Sequence, residues 1–222
     1  MIFDEVLELA RSVSQFTIAG EGNVSVRDGD AMLIKASGST LETMTDDDLV
    51  RCDLDGNAFE GEEKKPSMEV SFHAWILKTF PEINCVCHTH PTNTIKILCS
   101  GRIRDFANKR LFPDQVVRNG TKSCIVPYAT PGAPLREEIK KSVEEFIGRN
   151  GYFPKLILLK NHGIITASAS IQEATVSTLM CEKSAEIYIG AKMLNIIQFL
   201  TPEEVAAVDT NPSEKYRREL YK

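Results

Sequence analysis

The segment "INCVCHTH", Ile83 to His90, is β-branched and apolar enough for a buried strand, and it ends in two histidines one residue apart. Side chains alternate between the two faces of a strand. His88 and His90 therefore share a face with Val86, while Cys85, Cys87 and Thr89 take the other. The two cysteines cannot join both histidines around one ion, and a Cys₂His₂ zinc finger would need a wider Cys-to-His spacing. What remains is a His-x-His clamp that supplies two ligands, whereas a catalytic zinc takes three protein ligands and keeps one open position.

Working outward, the apolar spacing predicts an N-terminal helix through Phe3, Val6, Leu7, Ala10 and Val13. "NVSVR" and "AMLIKAS" read as short strands joined by a tight Asp-Gly hairpin, and "VRCDLDG" as a further strand and turn. "PSMEVSFHAWILKTF" repeats apolar residues at Val70, Ala74, Leu77 and Phe80, which gives a helix with Ser67 as N-cap. "TNTIKILCS" and "LREEIKKSVEEFIG" read as helices, "KSCIVPYA" and "KLILLKNHGIITA" as strands, and Ile171 to Ile197 as one long helix. Strands and helices interleave without strict alternation. The fold class expected is α/β, with a central, largely antiparallel or mixed sheet flanked by helices, in a single domain over residues 1–222.

Composition narrows the function classes. The net charge is −5 and the basic residues are scattered, so no electrostatic footprint for nucleic acid is expected. No apolar run approaches a membrane span, and the N-terminus lacks a basic stretch followed by an apolar core, so a cytoplasmic protein with no membrane partner is expected. The six cysteines are irregularly spaced in a chain too large to need disulfide staples, which points to reduced thiols.

A third imidazole has to come from His73 or His162, the only other histidines. His73 falls on the apolar stripe of its helix, where a hydrogen-bonded core histidine is the favoured reading. At "KNHGI" an apolar strand stops and Gly163 lets the backbone turn, so His162 either projects from the sheet end into a cleft or simply occupies a turn. Glu69, early in its helix, is either a solvated helix-start charge or a carboxylate that faces a ligand. "GEGNVS" offers Asn23, and "KASGST" offers Ser37, Gly38, Ser39 and Thr40, donors of the kind that cradle phosphate. Neither matches a P-loop or dinucleotide fingerprint.

Taken in order, "GEGNVSVR", "MLIKASGS", "KPSMEVSFH", "HTH" and "LLKNHGII" resemble the class II aldolase/adducin family over most of the chain. The resemblance implies a three-layer α/β/α fold and a homotetramer with active sites between subunits. It also implies one zinc ion per subunit on His88, His90 and His162. By the same match Glu69 is the catalytic acid/base, and Asn23, Ser37, Gly38 and Ser67 bind the phosphate of a sugar phosphate. The implied activity is a metal-dependent aldehyde-lyase that cleaves a sugar phosphate, such as a ketose 1-phosphate, through an enediolate. Decarboxylation of a 3-oxo acid phosphate, 4-epimerisation and dehydration are alternatives within the family, and an adducin-like scaffold is the non-enzyme alternative.

Two departures stand out. Met68 replaces the second of the two serines that usually precede the glutamate. The segment "KRLFPDQVVRNG" carries no tyrosine where such aldolases supply one to the adjacent subunit, which leaves Asp114 as the titratable group there. A carboxylic acid would serve only if burial raised its pKa.

Overall fold

In the computed structural model, which describes residues 2–195 and 197–220, the chain forms these elements in order. They are α1 (Ile2–Val13), β1 (Asn23–Asp28), β2 (Ala31–Lys35), β3 (Leu49–Asp53), α2 (Val70–Thr79), β4 (Cys85–Thr89), α3 (Thr92–Leu98), α4 (Ile103–Asn108) and α5 (Pro113–Asn119). There follow β5 (Cys124–Val126), α6 (Ala133–Asn150), β6 (Ile157–Leu159), β7 (Ile164–Ser168), α7 (Ile171–Met193), α8 (Pro202–Thr210) and α9 (Pro212–Glu219). One seven-stranded sheet runs β3-β2-β1-β4-β7-β6-β5. Its pairs are antiparallel except β5 with β6, which the long α6 crossover joins in parallel.

Alternation along the strands divides the core in two. Met32, Ile34, Val86, Ile157, Leu159 and Ile165 face one layer, where Phe72, Ile76 and Leu77 of α2 and Ile139, Val143 and Phe146 of α6 pack. Leu33, Cys85 and Cys87 point the opposite way, onto Val6, Leu9 and Ala10 of α1 and Ala174 of α7. Leu158 and Ile164 meet Ile97 of α3, Phe106 of α4 and Tyr188 of α7 on that same side. The result is the expected three-layer α/β/α arrangement around a mixed sheet.

Local chemistry explains where elements begin and end. Gly29 takes a left-handed φ of +62° in the two-residue connection between Asp28 and Ala31, which a β-hairpin requires. The α2 helix starts at Val70, later than expected, and Ser67 is not its N-cap. The Ser67 N–H is tied to the Lys35 carbonyl and Pro66 bridges Ala36, so the chain is still attached to the end of β2 at Ser67. The Ser67 hydroxyl instead accepts the Glu69 N–H at 3.3 Å. The last long helix also stops short of Ile197. It ends at Met193, and Asn195 adopts φ +59°, a left-handed break that asparagine tolerates.

Candidate metal centre

Three elements bring the histidines together. His88 lies on β4, opposite Asn23 of β1 and Ile165 of β7. His90 follows one step beyond the strand end, and His162 sits in the turn between β6 and β7. Their ligand nitrogens all fall within 4.8 Å of one another. That turn is built by Asn161 at φ +56° and by Gly163, whose backbone passes directly beneath His88 and His90.

The orientation of the rings suits a metal. His88 Nδ1 donates to the Ile164 carbonyl at 2.8 Å, which leaves the Nε2 lone pair free. His90 Nδ1 faces the Glu21 carboxylate at 3.6 Å, the outer partner that metal-bound histidines commonly have. The Nε2 atoms of His88 and His90 approach to 3.0 Å. Two nitrogens on a tetrahedral zinc with bonds of about 2.0–2.1 Å lie roughly 3.3 Å apart. All three imidazoles favour the neutral, ligating form, because burial lowers the pKa of each, His90 to about 4.

Glu69 completes the group from the start of α2. Its Oε2 is 3.3 Å from His88 Nε2 and its Oε1 is 3.6 Å from His162 Nε2. Oε1 is buried and has no hydrogen-bond partner among the described residues. The orphaned carboxylate oxygen and the imidazole lone pairs are acceptors that face one another with no donor between them, and a cation at this point would satisfy them. Burial works to raise the Glu69 pKa. The Asn23 hydrogen bond, and His88, His162 and His73 whenever they carry a proton, work against this and hold the carboxyl below its usual value.

His90, His162 and Glu69 line a cleft of about 270 Å³ together with Asn23, Ser37, Gly38, Ser67 and Met68. All four expected phosphate-binding residues therefore reach the same cavity as the histidine cluster. Gly38 adopts φ +85°, which suits a glycine and helps turn the Ser37–Ser39 backbone. Met68 is 78% exposed at this cleft. Asp114 is not among its lining residues; it accepts from Arg217 Nη2 at 3.2 Å. A larger apolar groove of about 630 Å³, between Asn108–Arg110 and the segment from Phe199 to Thr210, holds none of the histidines.

Sequence reasoning passed over Lys35 and Glu21, which also line the cleft. Lys35 is 2% exposed, and its ammonium donates to the carbonyls of Ser39 at 2.6 Å and Gly20 at 3.2 Å. It thus ties the two glycine turns together and sets a positive charge beneath them. A lysine inside the apolar run "AMLIKA" was the available signal, since burying an ammonium demands such partners. His73 is the hydrogen-bonded core histidine expected: it is fully buried, between Ser25 Oγ at 2.7 Å and Asn23 Oδ1 at 2.5 Å.

Known proteins share this framework. The family profile described as Class II Aldolase and Adducin N-terminal domain matches residues 5–189. A 3-oxo-tetronate 4-phosphate decarboxylase of Haemophilus influenzae is 29% identical, across 90% of this chain and 92% of its own. An L-fuculose phosphate aldolase of Methanococcus maripaludis is 30% identical, across 78% of this chain and 87% of its own. The solved structure of an L-fuculose 1-phosphate aldolase superposes with a TM-score of 0.81 at 25% identity, covering 97% of this chain and 96% of that one. The chain belongs to the class II aldolase and adducin family.

Proposed function

We propose that this member of the class II aldolase and adducin family is a zinc-dependent lyase that cleaves a sugar phosphate, such as a ketose 1-phosphate, at a carbon–carbon bond. The observation that carries the reading is the convergence of His88, His90 and His162 with the Glu69 carboxylate at one cleft. An adducin-like scaffold has no use for three neutral imidazoles around an orphaned carboxylate oxygen.

Each part has a chemical task. Ser37, Gly38, Ser67 and the remaining amide N–H of Asn23 take the phosphate, and Lys35 adds positive potential beneath them. Anchoring at the phosphate fixes the reacting carbons relative to Glu69 and spends binding energy far from the bond that breaks. A divalent ion on the three imidazoles, zinc by the all-nitrogen donor set, supplies Lewis-acid stabilisation of the charge that develops on the substrate oxygens. The Ile164 carbonyl and Glu21 keep His88 and His90 turned to that point. In the condensing direction Glu69, held ionised, removes the proton from the carbon that attacks; in cleavage it returns that proton.

Decarboxylation of a 3-oxo acid phosphate is the second reading. It is favoured by the 90% coverage of the Haemophilus influenzae relative and by Met68, which takes one hydroxyl from the cleft. Loss of carbon dioxide leaves a carbanion beside a carbonyl, as aldol cleavage does, so the same residues serve. Epimerisation and dehydration would draw on the same groups.

The reading includes a homotetramer in the cytoplasm. The segment 109–120 lines none of its own chain's cleft, which leaves Asp114 available to a neighbouring subunit's site. All six cysteines are free thiols, in keeping with a reducing compartment. The test is an assay of the metal-loaded protein against a panel of ketose phosphates and 3-oxo acid phosphates, scored for dihydroxyacetone phosphate and for carbon dioxide, with sedimentation of the same sample. Release of the triose phosphate together with an aldehyde and without carbon dioxide supports the aldolase; release of carbon dioxide with the triose phosphate selects the decarboxylase. No turnover of any member, or a fully active monomer, goes against the corresponding part.

A further inference from the structure

Behind the cleft, a line of buried polar side chains runs from β1 into α2. Ser25 Oγ lies 2.7 Å from His73 Nδ1, His73 Nε2 lies 2.5 Å from Asn23 Oδ1, and Asn23 Nδ2 donates to Glu69 Oε2 at 2.9 Å. Two periodicities make this possible. Asn23 and Ser25 point to the same face of β1, and Glu69 and His73 stand one turn apart at the start of α2.

The proton positions follow from the carboxylate outward. An ionised Glu69 only accepts, so the group facing it must be the amide nitrogen of Asn23. The other end of that amide is a carbonyl oxygen, which also only accepts, so His73 Nε2 must carry the hydrogen. A neutral imidazole has one N–H, and His73 is neutral because burial pushes its pKa down to about 3. Nδ1 therefore accepts from the Ser25 hydroxyl. A flipped amide would set carbonyl and carboxylate oxygens 2.9 Å apart and would require the opposite histidine tautomer.

We infer that His73 is a positioning residue for Glu69: it fixes the Asn23 amide with its N–H group toward the carboxylate, which keeps Glu69 aimed between His88 and His162. His73 is fully buried and is not among the cleft-lining residues, so it acts through Asn23. Without this anchor the carboxylate loses the one side-chain hydrogen bond it has among the described residues and is free to turn toward the Lys35 ammonium, a buried cation of the same cleft. The inference rests on Glu69 being the acid/base of the proposed reaction.

The test has two arms. Long-range ¹H–¹⁵N correlation spectra of the metal-free wild-type protein read the His73 tautomer directly. The Nε2–H form is expected, and the Nδ1–H form overturns the inference even if the protein turns over no substrate in the panel, an outcome that would separately defeat the acid/base reading. In the second arm His73→Leu and His73→Gln are compared, because a glutamine amide can still donate to Asn23 Oδ1. Loss of the hydrogen bond to the charged carboxylate that His73 secures corresponds to about 10- to 100-fold. His73→Leu should lose that much in kcat with KM and metal content unchanged, and His73→Gln should regain most of it. Unchanged turnover in His73→Leu, or equal losses in two variants of equal melting temperature, overturns the inference. If His73→Leu does not fold, Ser25→Ala is read instead. Removing that donor to Nδ1 should cost about 2- to 10-fold, the range for one hydrogen bond, and an unchanged rate overturns the inference.

Discussion

A β-carbon on Gly163 would stand 2.5 Å from the carbonyl oxygen of Thr89. The same atom would lie 2.6 Å from His90 Cδ2 and 3.2 Å from His88 Cε1, so the turn that carries His162 and the β4 end that carries His88 and leads into His90 meet with no room for a side chain. Backbone cannot yield as a flexible side chain does. Gly163→Ala should therefore part the two segments, at a cost of about 1–3 kcal/mol for overpacking, and should weaken metal binding more than it weakens the fold. Thermal melts with and without added zinc check this, through a smaller metal-induced shift in melting temperature than wild type shows.

The metal content should be about one divalent ion per subunit in wild type and close to none in His88→Ala/His90→Ala. Cys85 and Cys87 point to the opposite face of β4, into the α1 and α7 layer, and both thiols are buried. Cys87→Ser should accordingly keep its ion. Elemental analysis of the purified proteins settles each case, and equal metal in wild type and the double variant would show that the histidines do not hold it.

Stability should depend on pH through His73. An unfolded histidine takes up a proton as pH falls through about 6.5, whereas the folded His73 stays neutral until about 3. Between those values the unfolded state binds more protons, so stability falls as pH falls. The contribution is complete above pH 6.5 and lost as pH approaches 3. One proton corresponds to about 1.4 kcal/mol per pH unit. His73→Gln should remove that component, which urea unfolding of both proteins between pH 7 and pH 4 would reveal as a shallower slope.

The sequence carried the strand-level part of this site more clearly than its assembly. Alternation alone separates His88 and His90 from Cys85 and Cys87, because the period of a strand is fixed. His162 was open between a turn and a ligand on spacing, because its role depends on β7 pairing beside β4, a contact between residues far apart in the chain. The Asn23–Glu69 bond spans 46 residues and likewise depends on tertiary packing. Two local signals were present. Glu69 and His73 share a helix face, and Asn23 and Ser25 share a strand face. The start of α2 was misplaced since Ser67 answers to the end of β2, a tertiary contact that overrides its capping preference. The short helices α4 and α5 offer only 6 and 7 residues, too few for a helical period to stand out.

The proton that Glu69 is proposed to move can be followed directly, as exchange of the dihydroxyacetone-phosphate carbon proton with solvent deuterium in zinc-loaded protein. Removal of a general acid or base costs about 10²–10⁴-fold in rate. Wild type should exchange the proton, and Glu69→Gln, with its zinc content and oligomeric state unchanged, should be slower by that factor. Exchange by Glu69→Gln at close to the wild-type rate would contradict the account and leave Glu69 as no more than a buried charge at the start of a helix.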